Sequence, residues 1–497
     1  MKKKQLRWTL WTIASPFILF IILCILIYLP PIQNFLVDKA AVYASEATGM
    51  NISVGRISLS FPLNLVVTDV DAASPHNDTL LSVRRLQVNV QLLPLLKKQV
   101  EVDGISLQGA TVNSNDLIHG MKLNGTLGEL FISSHGVALD PETAIVNKVL
   151  LKDTDLSLCL NDTAAADTAA SDTTYWKIIL QDIDLQNVSF ALDMPLDSLS
   201  LAASLDNATL RDGLIDLHKS AYSLQTFRIK NGRMRYDSGR PSATASADSL
   251  SAGLDPSHIA LTDIGVKLDS LYYEGRNMKA VISQFVLKER SGVEIVSTEG
   301  RLVSNDKVLR VPSLKLETRD SYLELNAAMD WDALDFKKEG LVSARLMADI
   351  GKPDVVRFMG SMDEKFIRKY PSEPLRIRTG IDGDLNKLKL TTLTAELPGA
   401  LELFAKGELT SLTDSLLRGG DITLQAETKD LKFISTLVEG IEIPYGTRLE
   451  GKFTMAGPKM GTDLLLMQPE AHAVAAADTI PITVYNDSIS VADDFKM

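Results

Sequence analysis

The sequence predicts a mainly β protein hung on an N-terminal transmembrane helix, and three observations predict it. Residues Trp8 to Leu29 carry no charged side chain. A short stretch then repeats its apolar residues at intervals of three and four. From Asn51 onward the apolar period becomes two and stays there for most of the chain.

As a helix, Trp8 to Leu29 extends about 33 Å against a hydrocarbon core of about 30 Å, which is enough to span. Lys2, Lys3, Lys4 and Arg7 precede the run, whereas Asp38, Lys39 and Glu46 follow it. The excess of positive charge therefore puts the N-terminus in the cytoplasm and the rest of the chain outside. Trp8, Trp11, Pro16, Phe20 and Tyr28 mark the anchor. The rings of Trp8, Trp11 and Tyr28 fall near its two ends, where amphipathic aromatics favour the water interface, and a spanning helix tolerates Pro16. A cleaved signal peptide has an apolar core of about 7 to 15 residues and a small-residue cleavage site, and this run is longer and ends in Leu29-Pro30-Pro31. Residues 1–30 thus read as a cytoplasmic tip and retained anchor.

Residues 31–49 read as one short amphipathic helix, with Ile32, Phe35, Leu36, Ala40, Tyr43, Ala44 and Ala47 on its apolar side and Gly49 as its stop. It packs on the first strands or lies beside the bilayer.

Residues 50–467 read as one elongated β domain. Ile52 and Val54, then Ile57, Leu59, Phe61, Leu63 and Leu65, alternate with small or polar residues, and Gly55-Arg56 shifts the phase as a β-bulge does. The alternation returns in Leu86, Val88, Val90 and Leu92, in Ile264, Val266 and Leu268, in Leu314 and Leu316, and in Leu401, Leu403 and Ala405. Asp103-Gly104, Asn124-Gly125, Asp212-Gly213, Asn231-Gly232 and Asp382-Gly383 read as turns between strands, giving a serial meander. Residues 161–174 and 238–251 lack the pattern and read as flexible excursions. Lys352 to Arg368 has helical periodicity and is placed to cross over or to cap an opening. Residues 468–497 read as an irregular or truncated tail.

The 497 residues carry a net charge of −12 and a pI near 5.1, a poor balance for nucleic acid. Cys24 lies in the apolar run and Cys159 far from it, so no disulfide is expected. His76, His119, His135, His218, His258 and His472 have no ligand or triad partner at motif spacing. No nucleophile elbow, P-loop, dinucleotide fingerprint or H-E-x-x-H occurs. Asp382 to Asn386 opens like a calcium loop, but Lys387 and Leu393 stand where the loop needs Gly and Glu, so a hairpin turn is the better account. Asp69 with Asp71, and Asp182 with Asp184, are spaced as the wet face of a strand spaces them. The expectation is a protein that is not an enzyme and needs no catalytic residue, metal or cofactor.

Residues Gln33 to Asn113 carry an ordered set of features: Gly49, the I-x-V-G-x-I-x-L of Ile52 to Leu59, Phe61-Pro62, the L-x-V-x-V of Leu86 to Val90, Leu93-Pro94-Leu95-Leu96, and the I-x-L-x-G-A of Ile105 to Ala110. This stretch resembles the start of the AsmA and TamB families of Gram-negative envelope proteins, and Ile381 to Ser415 resembles a repeat unit deeper in them. The resemblance implies a long, curled sheet, taco-like in section, with an apolar groove of the bridge-like lipid-transfer type. It implies an inner-membrane protein whose bulk is periplasmic and which carries phospholipid between the inner and outer membranes. The alternative it implies is a scaffold for outer-membrane protein assembly with a β-barrel partner. The expected groove lining is Ile52, Val54, Ile57, Leu59, Phe61, Leu86, Val88, Val90, Ile264, Val266, Leu268, Leu314, Leu316, Leu401 and Leu403. A competing reading closes the same aliphatic face into a dry core. The large terminal domain of TamB-like proteins has no counterpart after Gln468, which puts docking to an outer-membrane partner in doubt.

Overall fold

Long β-strands follow one another through the chain because the apolar period of two holds for ten to eighteen residues at a time. A computed structural model describes residues 39–467 with internal gaps, the longest at 92–101, 162–174, 240–252 and 437–444. The expected anchor, from Trp8 to Tyr28, lies outside the described residues, as do Phe61, most of both expected excursions and the tail from 468. Among the described residues no helix is long and apolar enough to cross a membrane.

Within 31–49, the described residues from Lys39 to Thr48 are helical. Gly49 stops the helix at φ +70°, a conformation glycine adopts without strain, and its N–H donates to the Ser45 carbonyl at 2.9 Å. The Ser45 hydroxyl accepts the Ile52 N–H at 3.0 Å, joining the helix end to the first strand.

The chain divides into two compact units, one ending at Glu274 and the other starting at Gly275 apart from the short segment 245–256. Unit 1 holds β1 (Asn51–Ser60), β2 (Asn64–Ala73), β3 (Thr79–Val90), β4 (Val102–Asn113), β5 (Met121–Ala138), β6 (Thr143–Leu160), β7 (Lys177–Met194), β8 (Leu199–Asp216), β9 (Ala221–Leu224), β10 (Thr226–Ser238) and β11 (His258–Glu274). Each strand pairs with the next as far as β8, and then β9 and β10 form one interrupted strand, broken at Gln225, between β8 and β11. The expected serial meander fails at one junction. β6 and β7 run parallel, with Thr143 beside Lys177 and Leu158 beside Leu192. Period two fixes which face a residue takes and leaves strand direction open.

Unit 2 holds β12 (Asn277–Glu289), β13 (Glu294–Ser304), β14 (Val308–Thr318), β15 (Tyr322–Asp330), β16 (Val342–Ile350), β17 (Leu375–Gly383), β18 (Lys387–Leu397), β19 (Leu401–Thr410), β20 (Gly419–Thr428), β21 (Arg448–Ala456) and β22 (Lys459–Met467). All ten neighbouring pairs are antiparallel. The helical periodicity expected from Lys352 to Arg368 appears as two short helices, Lys352–Phe358 and Glu364–Lys369, between β16 and β17.

Most of the expected Asn-Gly and Asp-Gly turns are not turns. Gly104, Gly125, Gly213 and Gly232 all sit inside strands, and of the five only Asp382-Gly383 ends one. The physical reasons differ. Asp212 and Asn231 hold φ of 50° and 55° at irregular steps within strands, a conformation that hairpin turns also demand. Gly125 is small because a Cβ there would stand 2.2 Å from the Asp155 carbonyl oxygen on the next strand.

Candidate functional site: an aliphatic sheet face

Residues directly opposite each other on paired strands project to the same face, so the register decides which expected lining residues belong together. In unit 1 one row runs unbroken across the sheet: Leu59, Leu65, Val88, Ile105, Ile132, Val149, Ile183, Leu210, Phe227 and Leu268. A second row starts at Ile57 and passes through Val67, Leu86, Leu107, Leu130, Leu151, Leu185, Ala208 and Ile229 to Val266. Two more rows start at Val54 and Ile52; the Val54 row ends at Ile264 and the Ile52 row at Leu261. Val90 continues β3 two residues beyond Val88 and stands opposite Val102. The described lining residues of unit 1 therefore share one face.

In unit 2, Leu316 stands opposite Leu323, and the row continues through Ala348, Ile377, Ala395, Leu403 and Ala426 to Leu449. Leu314 heads the neighbouring row through Leu325 and Leu346, and Leu401 lies two residues from Leu403 at the strand end. Sequence reasoning missed most of both sets of rows. Their members lie on strands whose partners the sequence does not name.

The burial of these side chains is unusual for a core. Every member of the Leu59 row is half-buried, and so is every member of the Ile57 row except the buried Ala208. The buried cluster among the described residues lies elsewhere, at one end of the unit 2 sheet. There Phe366 and Tyr370 pack on Phe433, with ring centroids 5.8 and 5.2 Å from it, and join Leu397, Ala400 and Leu431. Leu375 and Leu401 pack against that cluster, so the helical segment covers the strand ends there. It is held by Asp354, wholly buried, which accepts hydroxyl bonds from Thr318 and Ser321 and pairs with Arg357 at 3.0 Å. Arg357 also reaches Asp320 on the β14–β15 turn at 2.7 Å. These two helices form a cap over the strand ends.

A crease crosses unit 1. In each strand from β1 to β8 and in β10, the apolar alternation is interrupted between the Ile57 row and the Val54 row by two consecutive residues, polar or glycine, where one is due. Examples are Gly55-Arg56, Thr68-Asp69, Arg84-Arg85, Lys152-Asp153 and Lys230-Asn231. These steps lie side by side. The register skips Gly55 with Asp69, Arg84 with Gly109, Gly128 with Asp153, and Asp206 with Asn231. Neighbouring strands insert together, so their register is kept. Asp69, Asp153, Asn187 and Asn231 take φ between 49° and 55°, with Gly109 at 63°. At Gly55 and Gly128 a Cβ would come within 2.9 and 2.8 Å of the facing aspartate Cβ, so one partner of each pair is glycine. The inserted residue resets the alternation, and apolar residues return to the same face on both sides of the crease.

The opposite face is charged and wet. Arg211 pairs with Asp182 and, at 3.0 Å, with Asp184, as the expected acidic spacing required. A recess of about 690 Å³ opens on the polar face of β17–β21, lined by Arg376, Arg378, Glu396, Glu402, Glu427 and Arg448 around Phe404. Its charges pair within the sheet, Arg376 with Glu396 at 3.3 Å, Lys429 with Glu402 at 2.8 Å and Arg448 with Glu427 at 3.5 Å. Among the described residues no three His, Cys, Asp or Glu side chains come together as metal ligands, and Cys159 is a free thiol. No protein-family profile and no curated protein matches the chain.

Proposed function

We propose that this chain is an inner-membrane-anchored periplasmic protein that carries phospholipid between the inner and outer membranes along the aliphatic face of its sheets. The observation that carries the reading is the Leu59-to-Leu268 row: ten large apolar residues in unbroken cross-strand register, all half-buried. A face built to seal a core buries such side chains. One built to hold acyl chains keeps them reachable.

The energetics favour such a device. Each CH₂ brought into water costs about 0.8 kcal/mol, so a lipid with about thirty methylenes meets a barrier of order 20 kcal/mol. Sliding along Leu, Ile and Val with the head group wet avoids most of it, and no catalytic residue is needed. Ten strand positions at about 4.8 Å give unit 1 alone a track of roughly 43 Å. The crease supports a curled section, because the added residue lengthens the polar contour of every strand relative to the apolar one. The resemblance of the motif order in Gln33 to Asn113 to that of AsmA and TamB supports the same reading, as does the charge-free run from Trp8 to Leu29.

Val88 and Asn89 are neighbours on opposite faces of β3, Val88 in the apolar row and Asn89 in a polar ladder with Gln87. Val88→Asp is expected to cut phospholipid transfer between donor and acceptor vesicles by about tenfold or more, while Asn89→Asp leaves it near the starting level. Equal losses from the two substitutions defeat the conduit.

A further inference from the structure

The four rows of unit 1 continue toward both ends of the strands, and the two ends differ. At one rim the face passes through Leu123, Leu158, Leu192 and Leu201, opposite one another across β5 to β8 with Tyr236 of β10 next in the row, and ends two residues on in Met121 with Leu160 and Met194 with Leu199. At the other rim it finishes in aromatics. Beyond Ile183 and Leu210 a second two-residue step, Gln181-Asp182 against Arg211-Asp212, resets the alternation. The face then runs through Leu180 and Gly213 to Ile178 and Ile215. Ile215 stands opposite Tyr222, and Tyr222 opposite Tyr273. The two tyrosine rings lie 6.1 Å apart at 31° and are 40% and 42% exposed. One step further out, the Leu217 N–H donates to the Trp176 carbonyl at 3.0 Å, so the pairing continues to these two residues, which stand two positions beyond Ile215 and Ile178 in the alternation. Only 6% of the chain is aromatic, so the concentration here is not a property of the sheet at large.

From this arrangement we infer that Tyr222, Tyr273 and Trp176 form an aromatic lip that holds a bound phospholipid at the level of its ester and phosphate groups. The inference rests on the conduit reading and adds the lipid's orientation to it. Along the strand direction the face passes from aliphatic side chains to rings with polar tips and then to water. A phospholipid has the same order, from acyl chain to ester to head group. Tyr and Trp favour that boundary because the ring prefers hydrocarbon while the O–H or N–H still needs a hydrogen-bond partner. The lip sets acyl chains pointing toward the crease and head groups outward. In the row at the other end four leucines, Leu123 to Leu201, precede a single phenol, Tyr236, which stands opposite Leu201.

Fluorescence of Trp176 tests the inference in the detergent-extracted full chain, with Trp8, Trp11 and Trp331 replaced by phenylalanine. The protein is loaded with phosphatidylcholine bearing a nitroxide either on the head group or midway along one acyl chain. The lip predicts that the head-group nitroxide quenches Trp176 about twofold more strongly than the chain nitroxide. Tyr222→Leu with Tyr273→Leu keeps an apolar surface and removes both hydroxyls. The ratio should then fall toward one while the amount of bound lipid stays level. Stronger quenching from the chain nitroxide, or a ratio unmoved by the double substitution, overturns the lip and leaves the conduit standing. Failure of any phospholipid to bind the protein overturns the conduit and the lip with it.

Discussion

Unit 1 and unit 2 both present an unbroken apolar face on neighbouring strands, yet they interrupt their strands differently. In unit 1 the inserted residues line up from β1 to β10, and the register of antiparallel neighbours passes through them unshifted. In unit 2 the insertions are one-sided. β14 carries an extra residue between Val311 and Leu314 against a regular β15, and β18 one between Leu390 and Leu393 against a regular β19. A shared insertion bends all strands along one line, whereas a one-sided insertion bends a single strand and raises its local twist. Strand length follows the same division. β5 to β8 have 18 residues each, about 60 Å of extended chain, and β15 to β17 have 9. Long strands supply two arms on either side of a crease. Short ones end in a helical cap instead.

The cap gives unit 2 the buried aromatic cluster, so the largest expected effect falls there. Phe366 is 2% exposed and touches rings of both Tyr370 and Phe433. Phe366→Ala is expected to cost unit 2 about 3–5 kcal/mol, because it removes a large buried side chain and leaves a cavity among neighbours held by the sheet. Hydrogen exchange in β17 to β20 should accelerate accordingly, with exchange in β3 to β8 unchanged. Acceleration in both units would mean that they do not unfold as separate bodies, and the contrast between them would lose its thermodynamic content.

The crease predicts a smaller effect of a different kind. Asn231 holds φ 55°, where a β-branched side chain meets backbone. Asn231→Val should destabilise unit 1 by about 1–2 kcal/mol, and Asn231→Gly should be close to neutral. Lys315 in unit 2 offers the control, since it lies on a regular stretch of β14 opposite Glu324 and is exposed. Lys315→Val should change stability by less than about 0.5 kcal/mol. Denaturant midpoints for the three variants decide the matter, and an Asn231→Val variant as stable as the parent would show that the crease is not held by backbone conformation.

Much of this was legible in the sequence, for identifiable reasons. The phase shift at Gly55-Arg56 declares an inserted residue, and the structure places it at the edge of the crease. The grouping of Ile52, Val54, Ile57 and Leu59 on one face follows from the alternation once that insertion is counted. The other positions were hidden by a degeneracy of backbone conformation. Asn231-Gly232 and Asp212-Gly213 look like hairpin turns because type I′ turns and inserted strand residues both require positive φ, and only pairing distinguishes them. Pairing is also what makes β6 and β7 parallel. The aromatic lip was invisible for a third reason: Tyr222 and Tyr273 are fifty-one positions apart and meet only because β9 lies between β8 and β11. The cap shares that difficulty, since Phe366, Leu397 and Phe433 come from three separate parts of the chain.

The smallest expected effect separates the two units by pH. Burial raises the Tyr370 hydroxyl above its ordinary value of 10.0. A group whose pKa is raised on folding stabilises the fold fully at pH below its unfolded value, and that contribution is lost as pH climbs through the folded value. The relevant window therefore opens at about pH 10 and extends upward, where the phenolate must be accommodated against Phe366 and Phe433 or the cap must open. Tyr222 and Tyr273 face water at their rim, so unit 1 lacks a phenol buried in this way among its stacked rings. Replacing Tyr370 with phenylalanine keeps the ring contacts and removes the titrating proton. The variant should match the parent at pH 7 to within about 0.5 kcal/mol and hold its unit 2 exchange protection further into alkali. If parent and variant lose that protection at the same pH, the alkaline sensitivity belongs to the sheet and not to the cap.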